Sequence, residues 1–554
     1  MIARVVGNDY RSLTPPEPGA WTPSLRVSVV VPAYGGQDKL DLVLAGLAGQ
    51  TYPEDLTEVI VVDNGSDPPL RLPELRPAGT RLVACPVPGR AHARNAGLRA
   101  ATGDVVHWLD SDVVLDRQAV EAHMRWHHAA PYLVVTGRLR FTPAPLPTAR
   151  EVAEAPDLAE LFEPAEPHAW LVDLIERTSG LTDGRSRAFS LHVGGATSVN
   201  AALLAEAGPM DTDLVLGQDT EMGYRLAQAG AVFVPEPLAR AFHLGPTMRM
   251  RDKAPIDRVS HAFVADRIPA YRWLRSHPAR QWKVPYLEVV VESDGDPGYD
   301  EVRASVDAVL AGTVPDVAVT VPGPWEHAGV EGRAPLRDPH LDLTLILGHY
   351  AHEGRVRFTS SSPGQAGRPG ESSWGAVPYR LRLPAGWTPG EDTLARLLDL
   401  ATDGGYGLVS VLLAEDAERG LTVARLERTA AFARAAIVAA DGEPLDDAVQ
   451  DTFGVFWADG ETYGFLREAR TPAGRRGAYR ARAEAQAEIA RLTKEAERLR
   501  GQVTRWREEA GRWRRSAVEL RREVGTLRKE LAAARKVVQY GLLSSVKRAI
   551  TRRR

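Results

Sequence analysis

Residues Gly103 to Val114, GDVVHWLDSDVV, run apolar positions into two aspartates held one residue apart and then return to valine. Carboxylates placed so have two ordinary uses: they solvate the end of a strand, or they hold a hard divalent cation through oxygen. The spacing alone does not choose, because it recurs at Asp211/Asp213 and at Asp294/Asp296. The surroundings must decide. Asp63 closes the apolar run EVIVVD, Tyr34 closes RVSVVVPAY, Asp219 and Glu221 stand two apart in GQDTEMGYRL, and His243 lies in RAFHLGPT.

The elements that position these residues are legible. RVSVVVPAY is a continuous β-branched run, as in a strand buried on both faces. Leu40, Val43, Leu44 and Leu47 keep helical spacing, and EVIVVDNGS is a second apolar strand ended by turn residues. RLVACPV, a Gly-rich loop, the helical RAHARNAGLRAAT and the strand DVVHWLD continue the alternation to Asp112. That order predicts an α/β unit with a doubly wound, mostly parallel sheet. Ligands bind such sheets at the carboxyl ends of the strands where strand order reverses, so Tyr34, Asp63 and Asp110 to Asp112 are predicted to share one edge.

The chain has 554 residues, enough for about three or four structural units. A net charge of -4 with 44% hydrophobic and 25% charged residues argues against a general nucleic-acid binder. Cys85 is the single cysteine, which excludes an internal disulfide framework and multi-cysteine zinc or iron-sulfur sites. No apolar run approaches the roughly 20 residues of a membrane span, and the amino terminus lacks the apolar block of a secretory signal. A cytoplasmic protein is the expectation.

The segments VSVVVPAY, QTYP, EVIVVDNGS, GRAHARNAGL, GDVVHWLDSD, VGGATSVNAALLAEAG and GQDTEMGYRLAQAG follow one another in the order seen in family 2 glycosyltransferases of the GT-A fold. Arg26 to Pro246 resembles that family. The resemblance implies a Rossmann-like GT-A domain that transfers a sugar, with inversion, from a nucleotide-diphosphate donor, usually a UDP-sugar. It implies that Pro32, Ala33 and Tyr34 border the base, and that Asp63 accepts a charge-assisted hydrogen bond from the imide edge. Arg94 and Asn95 would sit over the donor with Arg90 beside them, and Asp110 and Ser111 would face it.

By the same resemblance Asp112 is a metal ligand, Asp110 reaches the ribose or a metal-bound water, and His243 completes the site. Mn2+ or Mg2+ is the implied cation, and an imidazole ligand tilts the choice toward manganese. Inverting transfer also needs a base opposite the leaving group. Asp219 matches that position; Glu221 is a second candidate because Gln218 stands where relatives carry an acid. Ala196 stands where they commonly carry asparagine. Those two departures support a rival reading, a GT-A-fold glycan-binding or scaffold protein without turnover. The expected acceptor is a glycan, lipid-linked or cell-envelope polymer, and Thr142 to Ser190 is read either as acceptor cleft or lid, or as a plain insertion.

The units are predicted as a leader at 1–25, the GT-A domain at 26–285, a smaller α/β accessory module at 286–470, a coiled coil at 477–540 and a basic tail at 541–554. The accessory module repeats strand, helix, strand from Tyr286, either as a degenerate GT-A-like duplicate without metal ligands or as an unrelated fold. Ile489, Ala496, Val503, Ala510, Ala517, Val524, Leu531 and Val538 recur every seven residues, with Leu492, Leu499, Trp506, Trp513, Leu520 and Leu527 three places later. Glu495, Glu509 and Glu523 precede Arg500, Arg514 and Arg528 in the order a parallel homodimer would pair. The tail YGLLSSVKRAITRRR suits either solvent or the inner, anionic membrane face.

Overall fold

The computed structural model describes residues 2–143, 145–182, 187–275, 277, 280–329, 335–360, 372–416 and 420–467, together with part of 491–536. The first sheet is built from β1 (Val27–Ala33), β2 (Thr57–Asp63), β3 (Thr80–Ala84), β4 (Val105–Leu109), β5 (Val113–Leu115), β6 (Leu133–Thr142), β7 (Glu166–Pro167), β8 (Ala196–Asn200) and β9 (Val232–Leu244). β1 is buried on both faces as its composition requires. Val27, Val29 and Val31 pack with the helix Gln37–Ala48, and Val30 packs on the other face with the helix Arg90–Ala100. A Cβ at Gly97 would come within 2.2 Å of the Val30 side chain, so only glycine lets that second helix lie this close.

The strands run β3-β2-β1-β4-β8-β6-β9-β5. β3, β2, β1 and β4 are mutually parallel, but β8 enters antiparallel to both β4 and β6, and β5 runs antiparallel to β9. The expectation of a mostly parallel sheet is therefore corrected to a mixed one. The strand ATSVN is short and follows a long insertion, so nothing local marks its direction. The reversal of strand order falls between β1 and β4, where a crevice must open at the carboxyl ends.

Three histidines lie under this sheet. His107 of β4 and His123 and His127 of the helix Ala119–Ala129 are fully buried, with Ser198 Oγ 2.8 Å from both His123 Nδ1 and His127 Nε2. One hydroxyl donates to one ring and accepts from the other. Burial lowers the His107 and His127 imidazoles to about 3, and His123 well below its ordinary value.

The second sheet comprises β10 (Leu287–Glu292), β11 (Val317–Gly323), β12 (Val356–Ser360), β13 (Tyr379–Pro384), β15 (Leu408–Asp416), β16 (Gly420–Arg428) and β17 (Val455–Asp459), with β14 (Trp387–Pro389) and β18 (Phe465–Arg467) paired beside it. Its path, β12-β11-β10-β13-β16-β15-β17, repeats the first: a parallel quartet, two antiparallel neighbours, then a parallel pair. Between β13 and β14, where the first sheet has Asp110 to Asp112, stand Ala385 and Gly386.

Residues 1–470 form one compact unit and 471–554 another. The amino-terminal segment is built into the first. Val5 and Leu13 are buried in one cluster with Tyr132, Val232, Leu408 and Phe432, and Arg4 pairs with Glu443 and Asp451. In the second unit the described residues between 491 and 536 include helical ones, on which Leu492, Leu499, Val503, Trp506, Trp513 and Leu520 are 47–75% exposed. Ile489, Ala510, Val538, Arg500, Arg514 and the tail 541–554 lie outside the described residues.

Candidate active site

The residues singled out by chemistry converge at the carboxyl ends of β1, β2 and β4. Tyr34 follows β1 and is 77% exposed, beside buried Ala33 and half-buried Pro32. Asp63 ends β2 in register with Ala33. Its two oxygens accept from the Ser66 amide at 2.9 Å and the Leu70 amide at 3.0 Å. Burial pushes this carboxyl up, and the hydrogen bonds from Ser66, Leu70 and Gly65 outweigh it and hold it below the usual range. Each carboxylate oxygen accepts more than one bond, so capacity for a base edge remains.

Arg94 is the centre of the arrangement. It is 2% exposed, donates to Asp110 at 2.8 Å and to the Gly194 carbonyl at 3.1 Å, and pairs with Asp219. A Cβ at Gly194 would fall 2.1 Å from the guanidinium and 2.6 Å from Asp219 Oδ1, so this glycine is what admits the bridge. Burial works against the guanidinium charge; Asp219 and Asp110 more than restore it. One buried cation thus ties the carboxylate after β4 to the first turn of the helix Gln218–Gln228. Asp219 keeps 34% of its side chain in solvent, and Oδ2 has no partner among the described residues.

Asp112 faces a different pair. Its Oδ1 lies 3.5 Å from His243 Nε2, and its Oδ2 lies 3.7 Å from Lys39 Nζ, whose ammonium donates to the Leu244 carbonyl at 2.7 Å. His243 Nδ1 stands 2.7 Å from the Gly245 carbonyl, which only accepts, so Nδ1 carries a hydrogen and Nε2 is the nitrogen turned toward Asp112 and placed to ligate. Two ligands of one cation on bonds of about 2.1 Å stand roughly 3.0–3.5 Å apart, so this pair fits a divalent ion. Among the described residues no third His, Cys, Asp or Glu joins them, which suits a magnesium- or manganese-type site completed by phosphate and water.

The remaining residues are committed elsewhere. Asn95 donates to the Met210 carbonyl and accepts from the Met210 amide, both at 2.9 Å, so it pins the loop ahead of the helix Gln218–Gln228 rather than facing the crevice. Glu221 is buried and bidentate with Arg225 at 2.7 and 2.9 Å. Arg90, at the start of its helix, approaches the Met248 sulfur at 3.6 Å, and Ser111 is half-buried between the two aspartates. The Gln218 amide donates to the Leu214 and Val215 carbonyls, which an acid could not do, and Ala196 is fully buried opposite Leu109. Both departures from the family pattern thus serve packing.

Sequence reasoning missed two neighbours. Lys39, in the first turn of the helix Gln37–Ala48, is one. His192, whose Nδ1 is 2.8 Å from the Asp219 carbonyl oxygen, is fully buried and lowered to about 4 by burial against the raising influence of Asp219. No motif marks either one.

Residues 28–181 match the family model described as Glycosyl transferase family 2. Over that segment the chain is similar to family 2 glycosyltransferases. An uncharacterized glycosyltransferase of Bacillus subtilis, YfnE, is 36% identical over 117 residues, 20% of this chain and 30% of that protein. The pre-mycofactocin glycosyltransferase of Mycobacterium tuberculosis is 28% identical over 235 residues, 41% of this chain and 44% of its own. The validoxylamine A glucosyltransferase of Streptomyces hygroscopicus subsp. limoneus is 30% identical over 285 residues, 48% and 59% respectively. The chain therefore matches from under a third to under two thirds of the length of these relatives. A mannosyltransferase from Pyrobaculum calidifontis, solved with GDP-Man and Mn2+, is similar at 22% identity with a TM-score of 0.29 over 44% of this chain and 65% of that one, a likeness too slight to carry an inference. The matched segment is the part of the chain that holds Tyr34, Asp63, Arg94, Asp110 and Asp112.

Proposed function

We propose that the chain is an inverting glycosyltransferase that uses a nucleoside-diphosphate sugar, of which a UDP-sugar is the first choice, and a divalent cation. The observation that carries this reading is the Arg94 bridge, which sets Asp219 beside Asp110 while Asp112 and His243 stand together as a second pair. Asp63 and Tyr34 take the base, Asp110 and Ser111 face the ribose and diphosphate, and Asp112 with His243 would hold the cation. Bound there, the cation supplies neutralisation of the charge that develops on the departing diphosphate. Lys39 adds a second positive group on the same side.

Asp219 is the proposed base. Arg94 fixes Oδ1 and leaves Oδ2 to take the acceptor hydroxyl proton as that oxygen attacks the anomeric carbon. Glu221 is bound to Arg225 and does not compete. A nucleotide should raise the thermal midpoint of the wild type only when manganese is present. Asp112→Ala should lose that shift; equal shifts with and without metal would overturn the assignment.

The acceptor side is proposed to include the insertion Thr142 to Ser190. Rings run from His243 through Phe141 at 5.2 Å and His168 at 5.4 Å to Trp170 at 6.2 Å, and Trp170 is exposed. An aromatic face there can stack on an acceptor sugar. Trp170→Ala should raise the acceptor KM about tenfold with little change in kcat, the size of one lost aromatic contact; an unchanged KM would remove Trp170 from the acceptor cleft.

The exposed apolar row from Leu492 to Leu520 is proposed to pair two copies as a coiled coil, placing the catalytic units together at a membrane face that the basic tail would contact. Leu499→Asp with Leu520→Asp should halve the mass measured by sedimentation equilibrium. An unchanged mass would refute pairing through this row.

A further inference from the structure

A cavity of about 840 Å3 lies on the seam between the two sheets, away from the carboxyl-end crevice. It is lined by the start of β9, the starts of β10 and β13, and the far half of the helix Gln218–Gln228. Its size is that of a small-molecule site, and junctions between structural modules are a frequent place for one.

The lining is unusual in its charge. Arg434 is 1% exposed and donates to the carbonyls of Gly230, Ala231 at 2.8 Å, Val5 at 3.3 Å and Gly7 at 3.4 Å. It forms no ion pair with any carboxylate among the described residues. Burial lowers it to about 10, and it remains charged at neutral pH. Arg428 likewise donates only to carbonyls, those of Tyr406 at 3.1 Å and Ala401 at 2.8 Å. The third arginine, Arg272, is already paired with Asp316, and of the two wall carboxylates Asp9 is held by Arg11 while Asp403 lies on the wall with the end of its helix. A buried charge without a counter-charge is costly, and buried Arg434 with half-buried Arg428 on the same cavity, neither in an ion pair among the described residues, call for an anion.

The remaining wall describes the body of that anion. Tyr379 lies under Arg428 at 5.2 Å and Phe453 beside Arg434 at 5.7 Å, both lining the cavity. Gln228 Oε1 is buried and accepts no hydrogen bond. We propose that the seam cavity binds a small organic anion, a carboxylate or phosphate ester on a flat apolar ring bearing a hydroxyl, with Arg428 and Arg434 facing the anion and Gln228 accepting from the hydroxyl. The ligand would touch the helix that carries Asp219 at its other end, without entering the transfer site.

Isothermal titration of the full chain with 4-hydroxybenzoate, 4-hydroxyphenyl phosphate and the neutral 4-hydroxybenzyl alcohol tests this and separates the two anion classes. At least one anion should bind one-to-one and at least tenfold more tightly than the alcohol. Arg428→Gln should weaken it tenfold or more, and Gln228→Ala severalfold, with nucleotide binding in the presence of manganese unchanged. Arg434→Gln removes carbonyl ties as well as charge, so the other two variants decide if it does not fold. Binding of neither anion, or equal binding by wild type and Arg428→Gln, would overturn the proposal.

Discussion

Asp219→Asn is expected to lower kcat by about 10^2- to 10^4-fold, the usual worth of a positioned general base, while leaving donor binding with manganese intact. Asparagine keeps the shape and still offers an oxygen to Arg94, but it cannot take a proton. Glu221→Gln, two residues on, is the internal control. Its carboxylate is spent on Arg225, which also holds the Ala207, Gly208 and Pro209 carbonyls, so the change should cost stability rather than turnover. If Glu221→Gln loses the larger share of kcat, the two roles are exchanged. Initial rates at saturating donor and acceptor, with melting curves of each variant, separate these outcomes.

The second large effect is on stability. Burial lowers His107, His123, His127 and His192 below their unfolded values near 6.5. In the fold they stay neutral, whereas the unfolded chain binds a proton at each as pH falls through 6.5. Stability is therefore fully present above about 6.5 and is lost on acidification toward the folded values, about 3 for His107 and His127 and about 4 for His192. At pH 5.5 each ring that stays neutral costs about 1 kcal/mol, so the four together cost a few kcal/mol relative to pH 7.5. For a unit of this size that corresponds to a fall in Tm of roughly 5 °C. Calorimetry at the two pH values checks it; a Tm that holds to pH 5.5 would mean that these rings are already protonated in the fold.

The edge formed by Tyr34, Asp63 and Asp110 to Asp112 was legible because it depends on local pattern: apolar runs of strand length, each ended by a polar residue, alternating with helical spacing. Their meeting follows from the parallel quartet alone. What was not legible depends on contacts made across the chain. The direction of β8 is set by its pairing with β4 and β6, nearly one hundred residues from β4. Asn95 sits in the motif ARNAGL, yet its partner is Met210, so the motif could not tell a donor contact from a loop tie. The same holds for Gln218 and Ala196, whose types read as losses and whose surroundings make them packing residues. The leader 1–25 gave no sign that Val5 and Leu13 would be core, because its apolar residues are too few for a pattern. In the second half the strand-helix-strand rhythm was visible, whereas the repeated strand order rests on pairings such as β13 with β16 that no periodicity announces.

The measurement that bears most directly on the whole account is release of nucleoside diphosphate from a panel of nucleotide sugars, with manganese and then with a chelator. The account predicts release from one class of donor that requires the metal, disappears in Asp112→Ala and His243→Ala, and falls steeply in Asp219→Asn. Release that survives chelation and the Asp112→Ala substitution would contradict it.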